Sequence, residues 1–276
     1  MTDSAAAAAR AVSFLELHQP GAPLLMPNAW DAGSARVLAA LGFAALATTS
    51  SGFAATLGRQ DGAVSRDEAL GNAAAIVAAS GLPVSADLED CYADDPAGVA
   101  ETVTRAAGTG LAGLSVEDYS RRDEDPIYDR ALAAERVAAA AQAAHAGTVR
   151  MVLTARAENY LHGRPDLADT IARLQSFQDA GADVLYAPGL RSADDIRAVV
   201  TSVDRPVNVL AWAGGPSVAA LGELGAARIS VGGALAFAAL GALAASGREM
   251  LESGTFGFGE QLGAGRDIAG RAFPAV

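Results

Sequence analysis

One cysteine, Cys91, stands alone among 276 residues. That excludes a disulfide framework and cysteine-based zinc sites, and it fits a cytoplasmic protein. Charged residues are few, at 19%, while hydrophobic ones reach 51%, which excludes a disordered chain. Basic residues are outnumbered, and the net charge of −12 leaves no footprint for nucleic acid, which needs clustered Lys and Arg. An anionic substrate on such an acidic protein needs local positive charge, from a metal or an arginine. The first residues, "MTDSAAAAARAVSFLELHQPG", lack a basic n-region and a leucine-rich h-region, so they read as a short helix and not as a signal peptide. The most apolar stretch, "GGALAFAALGALAAS", is about 15 residues long. A membrane span needs ~18 to 20, so a packed helix is expected there and no membrane partner. No Pro- or Ser-rich linker divides the chain, and a single domain over 1–276 is expected.

What is present is a recurring phrase: an Ala-rich segment, a glycine, then a short apolar run. It appears in "LAALGFAALATTS", "VAASGLPVSADLED", "AAGTGLAGLSVED", "AAHAGTVRMVLTARAE", "QDAGADVLYAPG" and "GELGAARISVGG", with glycines at 42, 81, 110, 147, 181 and 225. Glycine after a helix supplies the left-handed C′ position. An apolar run buried on both faces is what a parallel strand looks like. With "PLLMPNAW" at 23–30 and "RPVNVLAW" at 205–212 the strands number eight. Between them, "DLADTIARLQSFQDAG" places Leu167, Ile171, Leu174 and Phe177 at helical spacing. Eight alternating strands and helices predict an α/β fold, a single (β/α)8 TIM-type barrel. A doubly wound sheet would show a Gly-rich fingerprint after its first strand, and "MPNAWDAGSA" carries none. The expected layout is a helical lead-in over 1–22, eight strand–helix units over 23–233, and a C-terminal helix and tail over 234–276.

Barrel chemistry sits at the C-terminal ends of strands. In order the ends read Asn28-Ala29-Trp30-Asp31, Thr49-Ser50-Ser51-Gly52, Asp87-Leu88-Glu89-Asp90, Glu117-Asp118 and Arg156-Ala157-Glu158, so acids crowd neighbouring ends and an arginine stands among them. Asp87 and Glu89 are two apart, so they share one face. Several carboxylates at one mouth repel unless a cation joins them, and oxygen ligands without a Cys–His set indicate Mg²⁺ or Mn²⁺ over Zn²⁺. The plainer alternative pairs these acids with Arg121, Arg122 and Arg156. Arg156 can grip a substrate carboxylate through two parallel hydrogen bonds, or pair internally with Glu158 or Glu117. Ser50, Ser51 and Gly52 in "TTSSGFAATLG" can offer N–H and hydroxyl groups to an oxyanion, or form a tight turn. "SVGGALA" offers a helix N-terminus of the kind that takes phosphate. His18 precedes the barrel, His145 reads as structural, and His162 follows the fifth strand at the mouth. Cys91 is either a lining thiol or a buried one.

"PNAWDAGSA", "TTSSGFAATLG", "VSADLEDCY", "LSVEDY" and "TARAENYLHGR" together resemble the isocitrate lyase/phosphoenolpyruvate mutase superfamily, over about residues 20 to 250. The resemblance implies a barrel that binds Mg²⁺ and a 2-oxo acid and makes or breaks a C–C or P–C bond next to an enolate. It implies a homodimer or homotetramer whose last helix is extended or swapped. It makes Asp87, Glu89 and Glu117 the metal residues. Trp30, Ser50, Ser51 and Gly52 match the substrate-holding positions, and Arg156, Glu117 and Asp61 the catalytic set. Asn208, at the seventh strand end, joins the expected substrate contacts. Two departures stand out. Glu89 occupies the place of the family's second Asp, and "SRRDEDPIYDR" at 120–130 has neither the Cys–His lid motif of isocitrate lyases nor the mutase Asn-Ser. The expected activity is a Mg²⁺-dependent lyase acting on a small 2-oxo or 2-hydroxy di- or tricarboxylic acid. Hydrolysis or phosphonomutase chemistry is the alternative within enzymes, and a non-catalytic 2-oxo acid binder is the alternative outside them.

Overall fold

The structure is a computed structural model and describes residues 3–120 and 126–273. Helix α1 (Asp3–Glu16) leads into β1 (Leu24–Met26) and β2 (Asn28–Ala29), followed by α2 (Ala32–Ala40), β3 (Leu46–Thr48), α3 (Ser50–Thr56) and α4 (Arg66–Ser80). Then β4 (Val84–Asp87), α5 (Pro96–Ala107), β5 (Gly113–Glu117), α6 (Arg130–Ala146) and β6 (Val152–Arg156) alternate. The chain closes with α7 (Leu167–Asp179), β7 (Val184–Tyr186), α8 (Ala193–Thr201), β8 (Val207–Leu210), α9 (Val218–Glu223), β9 (Arg228–Ser230), α10 (Ala234–Glu252) and α11 (Gly259–Ala272). All strand pairings are parallel, in the order β1-β9-β8-β7-β6-β5-β4-β3-β2. The first two are halves of one predicted strand. Pro27 lies between them and has no N–H to give the ladder. Leu24–Met26 pairs with β9 and Asn28–Ala29 with β3, so the halves close an α/β barrel around its axis.

Helix starts follow ordinary capping chemistry. Asp31 and Ser65 form capping boxes with Ser34 and Glu68, and Asp95, Asp166, Ser192 and Ser217 accept from the first-turn amides of their own helices. The helix-facing strand residues, among them Leu46, Val116, Leu153, Leu185 and Ile229, join Ile76, Val103, Val137 and Phe177 in the main core. A second core plugs the bottom of the barrel, where Ala11 and Phe14 of α1 meet Leu24, Ala45, Val152 and Val184. Gly113 makes this plug possible. A Cβ there would sit 2.7 Å from the Val152 carbonyl and 2.9 Å from the Phe14 ring.

Three features differ from the sequence reading. The segment after β3 is a short helix, α3, capped by Thr49, not a bare turn. The expected tail contains a further helix, α11, which lies against α2. Its four glycines, at 259, 263, 265 and 270, hide a helix from propensity arguments. Third, the apolar stretch expected to fall short of a membrane span lies within α10, whose 19 residues make it, among the described residues, the one helix long and apolar enough to cross a membrane. Only Ala236 on it is buried, whereas Leu235, Phe237, Leu240, Leu243, Met250 and Leu251 are exposed.

A patch of that extent on one helix is costly in water. Covering it with a second copy predicts a dimer or tetramer built on α10. Light scattering at micromolar concentration should report more than one chain, and Leu243→Glu should shift the population towards monomer. A wild-type monomer would remove α10 as the assembly element.

Candidate active site

Alternate strand residues point into the barrel, and at its C-terminal end they build the predicted acid cluster. Arg156, ending β6, lies at its centre. Its Nη1 donates to Asp87 Oδ1 at 2.8 Å and its Nε to Glu158 Oε1 at 2.8 Å, while Nη2 stands 3.1 Å from Glu117 Oε2. The register places Glu117 beside Arg156 on neighbouring strands, and Asp87 ends the strand beyond. Burial alone would drive the guanidinium towards neutrality, but Glu158, Glu117 and Asp87 outweigh it and push its pKa well up. Burial pushes the Glu117 carboxyl well above the usual carboxylate range, with Arg156 opposing and Glu158 and Asp87 reinforcing. One guanidinium among Asp87, Glu117 and Glu158, with Glu89 on the same opening, leaves a surplus of acid.

The loop after β4 holds Glu89 there. Glu89, Cys91 and Tyr92 have φ of 53°, 59° and 57°, left-handed values that non-glycine residues seldom adopt. The strain is held from several sides. Glu117 N–H donates to the Glu89 carbonyl at 3.0 Å, and Thr102 Oγ1 donates to the Cys91 carbonyl at 2.7 Å. Buried Arg136 donates to the carbonyls of Asp90 and Asp94, each at 2.7 Å, and to that of Ala93. Tyr92 Oη reaches Glu89 Oε1 at 3.3 Å. This loop divides "DLED". Asp87 and Glu89 face the opening, while Asp90 accepts from Tyr92 N–H at 2.8 Å and has its pKa raised by burial. Asp118 also turns away, into a buried pair with Arg173 at 3.0 Å, and burial lifts its pKa to about 6.

Below the cluster lies a cavity of about 200 Å³. Ser50, Ser51, Asp61, Asp87, Arg156 and Asn208 line it, as do Asn28, Tyr186, Arg228 and the glycines Gly232 and Gly233. Glu89 and Glu117 line the adjoining opening with His162, which stacks on Tyr119 at 3.6 Å between ring centroids and stands 3.7 Å from Glu158. The oxyanion candidates are partly committed. Ser50 N–H donates to Asp87 Oδ2 at 3.1 Å, and Gly52 N–H to Thr49 Oγ1 at 3.3 Å. Trp30 and Gly52 do not line the main cavity. They face a separate apolar groove with Ala239, Leu240 and Leu243 of α10. The N-terminus of α10 meets the cavity at Gly233 with no side-chain cap. Arg121 and Arg122 lie outside the described residues.

The donor set suits a hard divalent cation, being oxygen only and in acidic surplus. Among the described residues, however, no three His, Cys, Asp or Glu side chains gather on one point. Arg156 bridges Asp87 and Glu117 instead, so Asp87, Glu89 and Glu117 would hold an ion partly through water. Two site residues escaped the sequence reading. Tyr186 projects from β7 with its ring centroid 5.4 Å from the Arg156 carbon Cζ. Arg228 is a lone arginine inside the apolar run "AARISV", which was the available signal.

These placements fall on a known family. The model for phosphoenolpyruvate phosphomutase matches residues 14–251. The chain belongs to that family. It is an enzyme family of lyases and mutases, within the phosphoenolpyruvate mutase/isocitrate lyase superfamily. A Burkholderia cenocepacia structure classed as a lyase/mutase is 52% identical, with a TM-score of 0.92 over 96% of this chain and 95% of that one. The structure of 2,3-dimethylmalate lyase is 28% identical, with a TM-score of 0.80 over 90% and 89%. That of oxaloacetate acetylhydrolase with its product oxalate is 25% identical, with a TM-score of 0.83 over 96% and 94%. The family thus holds C–C bond chemistry of more than one outcome on one scaffold.

Cys91 can be assigned from its surroundings. It is wholly buried in the main core, and burial raises its pKa to about 12. Alkylating reagents should therefore leave it unmodified until the protein unfolds. Cys91→Ser should cost ~1 to 3 kcal/mol of stability by burying a hydroxyl. Rapid labelling of the native protein would place the thiol at the cavity instead.

Proposed function

We propose that this chain is a Mg²⁺- or Mn²⁺-dependent lyase that cleaves or forms a C–C bond next to an enolate in a small 2-oxo or 2-hydroxy acid. The observation that carries the reading is the uneven charge at the mouth, where Arg156 alone faces Asp87, Glu117 and Glu158 beside Glu89. Lysine is absent from these 276 residues, so C–C cleavage through a lysine imine is excluded. Charge that develops on the substrate must then be met by a cation or by hydrogen bonds.

Asp87, Glu89 and Glu117 would hold the ion, which when bound supplies Lewis-acid polarisation of a substrate oxygen. Arg156 is kept charged and in place by its three carboxylates, and its guanidinium has N–H groups beyond those three contacts. It would orient the 2-oxo acid carboxylate. Ser51, whose Oγ lies 3.2 Å from Thr49 Oγ1, can turn its hydroxyl towards an oxyanion. The cavity's volume of about 200 Å³ favours a short acid. The relative oxaloacetate acetylhydrolase favours hydrolytic C–C cleavage as the second reading, and product analysis separates the two.

Calorimetry decides the metal. Mg²⁺ and oxalate together should bind and stabilise the wild type, and Asp87→Ala should abolish that linkage while the protein still folds. Absence of divalent binding, with or without oxalate, would rule the reading out.

Arg156→Lys should keep the charge but lose the planar fork, and should weaken oxalate by ~1 to 3 kcal/mol. An unchanged affinity would make Arg156 a purely structural pin for the acids.

A further inference from the structure

Deep in the same cavity sits a second arginine. Arg228, on β9, is 3% exposed and lines the floor below Arg156. Its neighbours are all uncharged. Nε donates to Asn208 Oδ1 at 3.0 Å, Nη2 to Thr154 Oγ1 at 3.0 Å, and Nη1 meets His18 Nε2 at 3.3 Å. Asn208 is fixed in turn, since its Nδ2 donates to Ser230 Oγ at 2.9 Å. His18 gives a lone pair and no charge. Its Nδ1 lies 2.8 Å from the Phe14 carbonyl, which can only accept, so that nitrogen carries the proton and Nε2 faces Arg228 bare. Burial and then Arg228 hold the His18 pKa down at about 3.

Two other arginines of the interior are compensated by charge: Arg156 has three carboxylates, and Arg173 has Asp118 and Asp169. Arg136 instead bonds three backbone carbonyls of the loop after β4 and does not line the cavity beside the acid cluster. Among the described residues no carboxylate pairs with Arg228, and burial lowers its pKa to about 10, with Arg156 adding to the effect. An isolated buried cation costs several kcal/mol. A guanidinium has five N–H groups. Three have partners here, which leaves one on each terminal nitrogen. That is the complement of a carboxylate gripped through two oxygens.

We propose that Arg228 is a specificity residue that binds a second carboxylate of the substrate at the cavity floor. The substrate class narrows to short diacids whose 2-oxo or 2-hydroxy end lies at the Asp87–Arg156 mouth and whose far carboxylate reaches β9. This rests on the 2-oxo acid reading above. Thr154, Asn208 and His18 act as positioning residues that aim the guanidinium upward. The cavity's volume suits such an acid and excludes a nucleotide or coenzyme tail.

The test compares oxalate, whose two adjacent carboxylates span only the mouth, with 3,3-difluorooxaloacetate, which adds a CF2–carboxylate arm long enough to reach further down. With Mg²⁺ present, oxalate and 3,3-difluorooxaloacetate are titrated calorimetrically into wild type, Arg228→Gln and Arg228→Lys. The glutamine variant should bind difluorooxaloacetate about 10- to 100-fold more weakly, the loss of one charged hydrogen-bonded contact. Its oxalate affinity should stay within about twofold of wild type, and lysine should recover part of the diacid affinity. Equal losses for both probes, or none for either, would overturn the proposal and make Arg228 a structural tie to α1. If Arg228→Gln does not fold, Arg228→Lys carries the same comparison, and an unchanged ratio of the two affinities overturns it. If wild type binds neither probe with Mg²⁺, the 2-oxo acid reading fails. Metal-free succinate then decides Arg228. A rise in wild-type melting temperature that the lysine variant lacks keeps the anion site, and no rise removes it.

Discussion

The mouth of this barrel depends on the Arg156 guanidinium. It ends β6, and its three nitrogens tie the end of β4, the end of β5 and Glu158, two residues past its own strand. Three carboxylates brought this close repel strongly in a poorly hydrated site. Removing the cation would leave buried acids uncompensated, which costs more than the pair itself contributes. The same contact explains why Glu117 holds a raised pKa beside a charged arginine. One positive charge cannot neutralise three acids, so burial still favours a proton on one of them. The site is therefore built to accept either protons or further positive charge.

Around this centre the fold accepts local strain. Three non-glycine residues with left-handed φ in the span 89–92 cost of order 1–3 kcal/mol each. They persist because Arg136, Thr102 and the Glu117 amide bond the loop's carbonyls. The effect is to turn Glu89 towards the opening and Cys91 into the core. An extended continuation of β4 would alternate them regularly, and Asp90 would then face the helices unpaired. The longer Glu89 is read most simply in that context. The loop sets its backbone, and Tyr92 Oη holds its carboxylate.

Most of the barrel was legible in the sequence because its repeat rests on two short-range rules. Glycine closes a helix, and a β-branched or leucine-rich run buried on both faces follows. Each of the eight predicted runs contains an observed strand, and Gly42, Gly81, Gly110, Gly181 and Gly225 all have positive φ. What was not legible depends on tertiary contact. Pro27 splits the first strand because its two neighbours require different registers. Helix α11 is too glycine-rich to announce itself, and it lies against α2. Trp30 and Gly52 sit in a substrate-like motif, yet face α10 across a groove that motif spacing cannot reveal. The strand-end rule found Asp87, Glu117 and Arg156 together. It passed over Arg228, which lies one layer deeper, where a barrel normally packs branched apolar side chains.

That deeper layer changes how the cavity is understood. In a typical barrel the interior is filled and chemistry is confined to the loops. Here the inward residues below the mouth include Ser85, Ser115, Asn208 and Ser230, which are small or polar and leave space. A polar floor is unstable unless its groups are satisfied. Thr154 and Asn208 are satisfied by Arg228 itself, and Arg228 by a neutral histidine from α1, so the bottom plug and the floor form one hydrogen-bonded unit. The cavity is consequently polarised along the barrel axis, acidic where β4 to β6 end and cationic at the base of β9. A molecule bound between the two ends meets a negative field above and a positive one below. Orientation is then fixed by charge before any shape complementarity is considered, and a substrate entering the wrong way round meets acid with acid.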